Sequence, residues 1–302
     1  MNKIEMSSKQ FKIYLAFAFG LAWILQIVGS MFANNGNQST FSVILMICMY
    51  MPFLGAVIAR VPFRGMGWKP HLKGKIRYLF FALWMPALLS ILGGGLFFAV
   101  FPDAFDSDFQ TACSILEEQG ALEQLEAQGI TIPMYLAVTA ILAVTVAPFF
   151  NMFAALGEEV GWRGVLYPYL KERLGVNRGR IVGGAVWGAW HWPAMLLAGY
   201  EYGKEYIGAP VLGLLVFCVF GSVMGILVDY VYEKTQTIWA PSLLHGAINA
   251  FTIFGYLTKP EYTDKAILGP MYIGVISMMP LIITAVIICI KQKKQDVKNH
   301  RS

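Results

Sequence analysis

Charge is scarce in this chain. Asp, Glu, Lys and Arg make up 14% of its 302 residues, against 57% hydrophobic residues, and the mean hydropathy is +0.58. A soluble domain carries roughly a quarter charged residues, so this balance excludes an ordinary soluble enzyme. Cysteine is scarce as well: of four, Cys48, Cys218 and Cys289 lie in apolar stretches and only Cys113 in a polar one, which excludes a disulfide framework. No long linker or repeat interrupts the sequence, so residues 1–302 are expected to form a single integral membrane domain. The first apolar stretch has no small-x-small cleavage site before Asn34 and is too long for a signal-peptide core, so it is expected to be retained. The formal charge of +5 sits mainly in loops and tail, where it suits anionic lipid headgroups and gives no reason to invoke nucleic acid.

Apolar runs are what the chain has instead. Eight are long enough to cross a hydrocarbon core that takes roughly 20 helical residues: about 13–33, 42–62, 78–101, 134–157, 181–199, 209–230, 238–257 and 270–290. The expected fold is an all-α polytopic membrane protein of about eight transmembrane helices. Lys3, Lys9 and Lys12 precede the first run, Arg60 to Arg77 supply six positive charges after the second, Lys171, Arg173, Arg178 and Arg180 follow the fourth, and Lys291, Lys293, Lys294, Lys298 and Arg301 follow the last. In an eight-span chain all of these fall on one side. The other side receives the Asn34–Thr40 loop and a 103–126 loop holding Asp103, Asp106, Asp108, Glu117, Glu118, Glu123 and Glu126 without a Lys or Arg. The positive-inside rule then puts both termini in the cytoplasm of a multi-pass plasma-membrane protein. Within 107–128, Ile115, Leu116, Leu122 and Leu125 recur at helical spacing, predicting a short amphipathic helix outside the membrane. Gly221 and Gly225 in the sixth run predict close helix packing.

Three apolar runs carry polar groups, and ionisable side chains in such places mark function by default. The first group is Gly157-Glu158-Glu159-Val160-Gly161-Trp162-Arg163-Gly164. Glu159 and Arg163, four apart on a helix, share a face in the favoured order, whereas Glu158 is turned about 100° away and is expected to stay free to act on water. A plain juxtamembrane ion pair is the alternative for this motif alone. The second group is Trp187 with His191, which lies roughly 16 Å beyond Arg180 along a helix; an interhelical hydrogen bond is its bland role. The third is His245 with Asn249, stacked four apart as hydrogen-bonding groups suited to an oxyanion, which needs preorganised donors. His71 and His300 lie outside the apolar runs. The three groups are expected to meet in the cytoplasmic half of the bundle, with Pro148 supplying a bend.

Glu158-Glu159-x-x-x-Arg163, Trp187-x-x-x-His191 and His245-x-x-x-Asn249 together resemble the three motifs of the CPBP intramembrane proteases, the group of type II CAAX prenyl endopeptidases and bacteriocin-processing relatives. The resemblance covers about 150–255 and looks most like the bacterial branch; Trp187 stands where a Phe is usual. It implies an intramembrane glutamic endopeptidase in which Glu158 and His191 activate water and His245 and Asn249 hold the oxyanion, with Glu159, Arg163 and Trp187 in support. A metal-free site is expected. The alternative is zinc held by Glu158, His191 and His245, although no His-Glu-x-x-His helix is present. The expected partner is a membrane-embedded or lipid-anchored peptide in the bilayer. Two other classes stand beside this one: a non-catalytic immunity or scaffold protein, and a transporter, which would need a polar path through both halves of the bundle.

Overall fold

The computed structural model describes residues 6–299; Lys3, His300 and Arg301 fall outside them, as do the side chains of Lys294 and Lys298. Among the described residues the regular structure is helical, with one isolated bridge between Phe105 and Thr258. The chain runs through α1 (Ser8–Asn34), α2 (Gln38–Cys48), α3 (Met51–Ile58), α4 (Ile76–Val100), α5 (Gln110–Glu118), α6 (Leu122–Ala127) and α7 (Ile132–Thr145). It continues through α8 (Ala147–Gly161), α9 (Tyr167–Leu174), α10 (Val176–Trp190), α11 (Trp192–Ala198), α12 (Val211–Thr235), α13 (Trp239–Ala250) and α14 (Met279–Asn299). Large apolar side chains such as Phe80, Trp84, Leu88 and Ile91 on α4 are exposed, the surface of a multi-pass protein that meets lipid and not water.

About eight transmembrane helices are expected, and several of the apolar runs are broken into shorter helices. Among the described residues four segments are long and apolar enough to cross a membrane, α1, Gln38–Ile58, α4 and α12, and a fifth results if α7 is joined across a 50° bend to Ala147–Leu174. Pro148 sits in the first turn of α8 beside that bend, where its missing N–H costs no helical hydrogen bond. The 181–199 run is split at His191, because Pro193 offers no N–H to the Ala189 carbonyl. The 238–257 run is helical only as α13, 12 residues or about 18 Å long, and irregular chain with 3₁₀ turns follows up to Met279. The single amphipathic helix expected over 107–128 is two, α5 and α6. Gly120, at φ +67, ends the first by donating to the Glu117 carbonyl at 2.9 Å, a left-handed cap that glycine adopts without strain.

Hydrogen bonds among helix ends and loops define two ends of the bundle. At one, Gln10 reaches the carbonyls of Ala59 and Arg60, Lys75 that of Thr235, and Thr237 that of Gly67; this end gathers the basic segments. At the other, Asn34 bonds the Leu197 carbonyl and Asp106 N–H the Leu257 carbonyl, and here lies the acidic 103–126 loop. Between them α10 and α12 are pressed together at glycines: a Cβ on Gly184 would stand 2.3 Å from the Gly221 carbonyl oxygen, so the expected close packing is present. Near the basic end, Asp229 on α12 accepts Lys171 Nζ at 2.8 Å and Arg180 Nε at 2.6 Å. Glu233 accepts Lys171, Arg180 and Gln292, and Arg180 also donates to Gln292, so one charge array ties α9, α10, α12 and α14.

Candidate active site

The site is assembled where α8 has no room for side chains. A Cβ on Gly157 would lie 2.6 Å from the Met49 carbonyl oxygen, and one on Gly161 would lie 2.3 Å from Pro52. From the other side α13 meets α8 at Gly246, whose added Cβ would approach Met152 N to 2.6 Å. Pressed between these neighbours, the end of α8 carries Glu158 and Glu159 inward, at 2% and 0% exposure. A π-helical turn, Trp162–Leu166, follows at once, a local departure from the α-helix of the kind that accompanies functional sites.

Glu158 is not free in the sense expected from sequence. Its Oε2 accepts the indole N–H of Trp162 at 2.9 Å and of Trp187 at 2.7 Å, because Trp162 lies one helical turn on and Trp187 faces it from α10. Both bonds fall on the same oxygen. Trp187 is therefore a donor as well as a wall, a task the usual Phe could not perform. Its ring also stands over Arg163, 4.8 Å from the guanidinium, with Tyr167 on the same cation at 4.6 Å. Glu159 and Arg163 do pair, at 3.1 Å, and the same Glu159 Oε1 contacts His245 Nδ1 at 2.8 Å.

Partners fix the protons on both imidazoles. His191 Nδ1 is 3.1 Å from the Trp187 carbonyl oxygen, which only accepts, so Nδ1 carries the hydrogen and Nε2 keeps a lone pair. That carbonyl is available because the helix breaks here and His191 N–H turns to Gly188. His245 Nδ1 faces a carboxylate and likewise donates; its Nε2 is a second acceptor in the neutral ring and a donor only in the imidazolium.

Glu158, Trp187, His191, His245 and Asn249 line one cavity of about 300 Å³, while Glu159 and Arg163 lie behind it. Asn249 is exposed, the two carboxylates and His245 buried. The cavity is not confined to the basic half of the bundle. His191 is roughly 22 Å along α10 from Val176, and the lining continues to Ser42, Tyr200 and Glu201 near the opposite end. Glu201 had no sequence signal beyond following an apolar run. It belongs to the 199–210 connection outside the spanning helices, where burial pushes its carboxyl up to about 7 against the lowering effect of a hydrogen bond with Tyr200. Trp162 was legible, four residues from Glu158, and was missed. Among the described residues no three His, Cys, Asp or Glu side chains are grouped to hold a metal ion, the Glu158, His191 and His245 set included.

Residues 136–251 match the family described as type II CAAX prenyl endopeptidase Rce1-like. A 102-residue stretch is 28% identical to CAAX prenyl protease 2 of the archaeon Methanococcus maripaludis, covering 33% of this chain and 37% of that protein. The chain thus matches little more than a third of that relative's length.

Proposed function

We propose that this chain, whose 136–251 core matches the Rce1-like family of membrane proteases, is an intramembrane glutamic endopeptidase cutting a membrane-associated peptide. The observation that carries this reading is the convergence of Glu158, His191, His245 and Asn249 on one cavity, with proton positions suited to hydrolysis. Glu158 is anchored through Oε2 by two indoles, leaving Oε1 to take a proton from water together with the His191 Nε2 lone pair. The hydroxide equivalent adds to the peptide carbonyl, and Asn249 N–H with His245 receives the oxyanion. His245 donates there from Nε2 only as an imidazolium, the form for which Glu159 is the counter-ion. The C–N bond breaks as the proton held by Glu158 or His191 passes to the leaving amine. Excluding bulk water strengthens each of these interactions.

The deciding experiment compares membrane peptides in cells carrying wild-type protein or Glu158→Gln, followed by cleavage assays on the purified protein in liposomes. Loss of cleavage by at least about 10³-fold with folding retained is expected, within the range for a lost general base; unchanged cleavage would refute the assignment. Strong chelators should leave the rate unchanged, and stoichiometric zinc in active protein would replace this scheme with a metal-assisted one. We further propose plasma-membrane residence with both termini cytoplasmic. A membrane-impermeant thiol reagent should then label Cys113 in intact cells but not a cysteine placed at Lys73.

A further inference from the structure

The cavity wall facing the three motifs carries a titratable group that the mechanism does not use. Glu201 stands there on the connection between α11 and α12. Its backbone is left-handed, φ +76, a conformation uncommon outside glycine that persists only where surroundings enforce it. The enforcement is visible: Tyr202 donates to the Ile273 carbonyl at 2.8 Å, Lys204 to Asn34 at 2.8 Å, and Ile207 N–H to the Asp264 carbonyl at 3.0 Å. Tyr200, next in sequence, lies parallel to the His191 ring with an interplanar angle of 7° and centroids 6.3 Å apart. Glu201 is thereby held at a fixed station relative to the site.

Its charge environment is one-sided. Glu158 and Glu201 are the carboxylates of the cavity lining, which includes no Lys or Arg; the guanidinium of Arg163 is behind Trp187, committed to Glu159. The groups facing Glu201 are Tyr200, Tyr202 and Tyr272, with Cys48 of α2, Glu158 of α8, His191 between α10 and α11 and His245 of α13 across the cavity. A partly buried carboxylate without a cation is costly until one arrives. A free carboxylate beside the bond to be cut would meet two more. We propose that Glu201 is the specificity-determining residue of the cavity, selecting substrates with a Lys or Arg side chain next to the scissile bond over substrates with a free carboxylate there. This rests on the hydrolytic reading above.

The raised carboxyl, at about 7, adds a sign. Glu201 ionises as pH rises through that value, so selection for a cation strengthens from pH 6 to pH 8 and fades below. The test uses the full chain in liposomes with lipid-anchored, internally quenched peptides differing only in Lys or Gln beside the cut bond, or in a free or amidated terminus there. Wild type should favour Lys over Gln roughly tenfold in KM at pH 8, the size of one charge-assisted hydrogen bond, and disfavour the free carboxylate. Glu201→Gln should collapse the ratio and its pH dependence, Glu201→Asp should retain both in part, and Glu201→Lys should reverse the preference. Should Glu201→Gln not fold, the wild-type pH profile and Glu201→Asp decide. Equal KM for the Lys and Gln peptides, or a Lys preference surviving Glu201→Gln, would overturn the proposal. Binding of the same peptides to Glu158→Gln separates the two readings: a Lys preference in binding without cleavage by wild type would refute hydrolysis and leave the selectivity standing.

Discussion

The Asp229 array and the Glu159 array are both buried and both ionic, and they are wired in opposite ways. Around Asp229, both carboxylate oxygens are taken by Lys171 and one also by Arg180, whose remaining nitrogens reach Glu233 and Gln292. Around Glu159, a single oxygen serves Arg163 and His245 together, while Glu159 Oε2 and Arg163 Nε and Nη2 make no hydrogen bond to protein. Leaving buried polar groups underbonded is expensive. The first array sits at the ends of four helices and fixes them; the second sits behind the cavity and orients the ring that faces it. The first array is saturated by its protein partners, and the second is not.

The contrast can be broken by experiment. Glu159→Gln should have the largest effect, a loss of turnover of about 10²–10⁴, as when the carboxylate that orients a catalytic imidazole is neutralised; a change in thermal stability alone would make Glu159 a second structural anchor. In a double-mutant cycle with Arg163→Met the stability losses should be less than additive, since either single change strands a buried charge. Arg180→Met comes next, costing about 3 kcal/mol of stability, the lower end of the range for a broken buried ion pair because Lys171 still holds Asp229, with turnover per folded molecule unchanged. A drop in turnover at full stability would erase the distinction between the arrays. Trp187→Phe should be mildest, slowing cleavage about tenfold by removing one of two indole bonds to Glu158, each a hydrogen bond to a charged acceptor. No change would show that Trp162 suffices as the anchor.

Much of this was legible because helices repeat. The i, i+4 rule predicted the Glu159–Arg163 pair and set His245 and Asn249 on one face, and apolar length predicted a polytopic helical fold. Contacts between distant segments were not legible. His245 meets Glu159 across 86 residues of sequence separation, and nothing local announces it. The end of α13 escaped for a different reason: hydropathy continues past Ala250, but a water-lined or protein-lined cavity permits irregular backbone at membrane depth, so apolar length overstates helical length there. Glu201 escaped because a left-handed, loop-borne carboxyl has no periodic signature.

The shortness of α13 carries a consequence for how the protein is made. Cellular insertion machinery reads hydrophobic length, and a 12-residue helix spans little more than half of a core roughly 30 Å thick. Although the apolar run continues past Ala250, so short a helix cannot rest in the bilayer as an independent unit; its exposed ends must be satisfied by protein. The partner that satisfies it is α8, already synthesised, through the close crossing at Gly246. Settling α13 in the membrane is thus a tertiary folding event. A side chain introduced at Gly246 would be felt first at the translocation stage, as molecules whose final segment is misrouted, before any loss of stability in the finished fold.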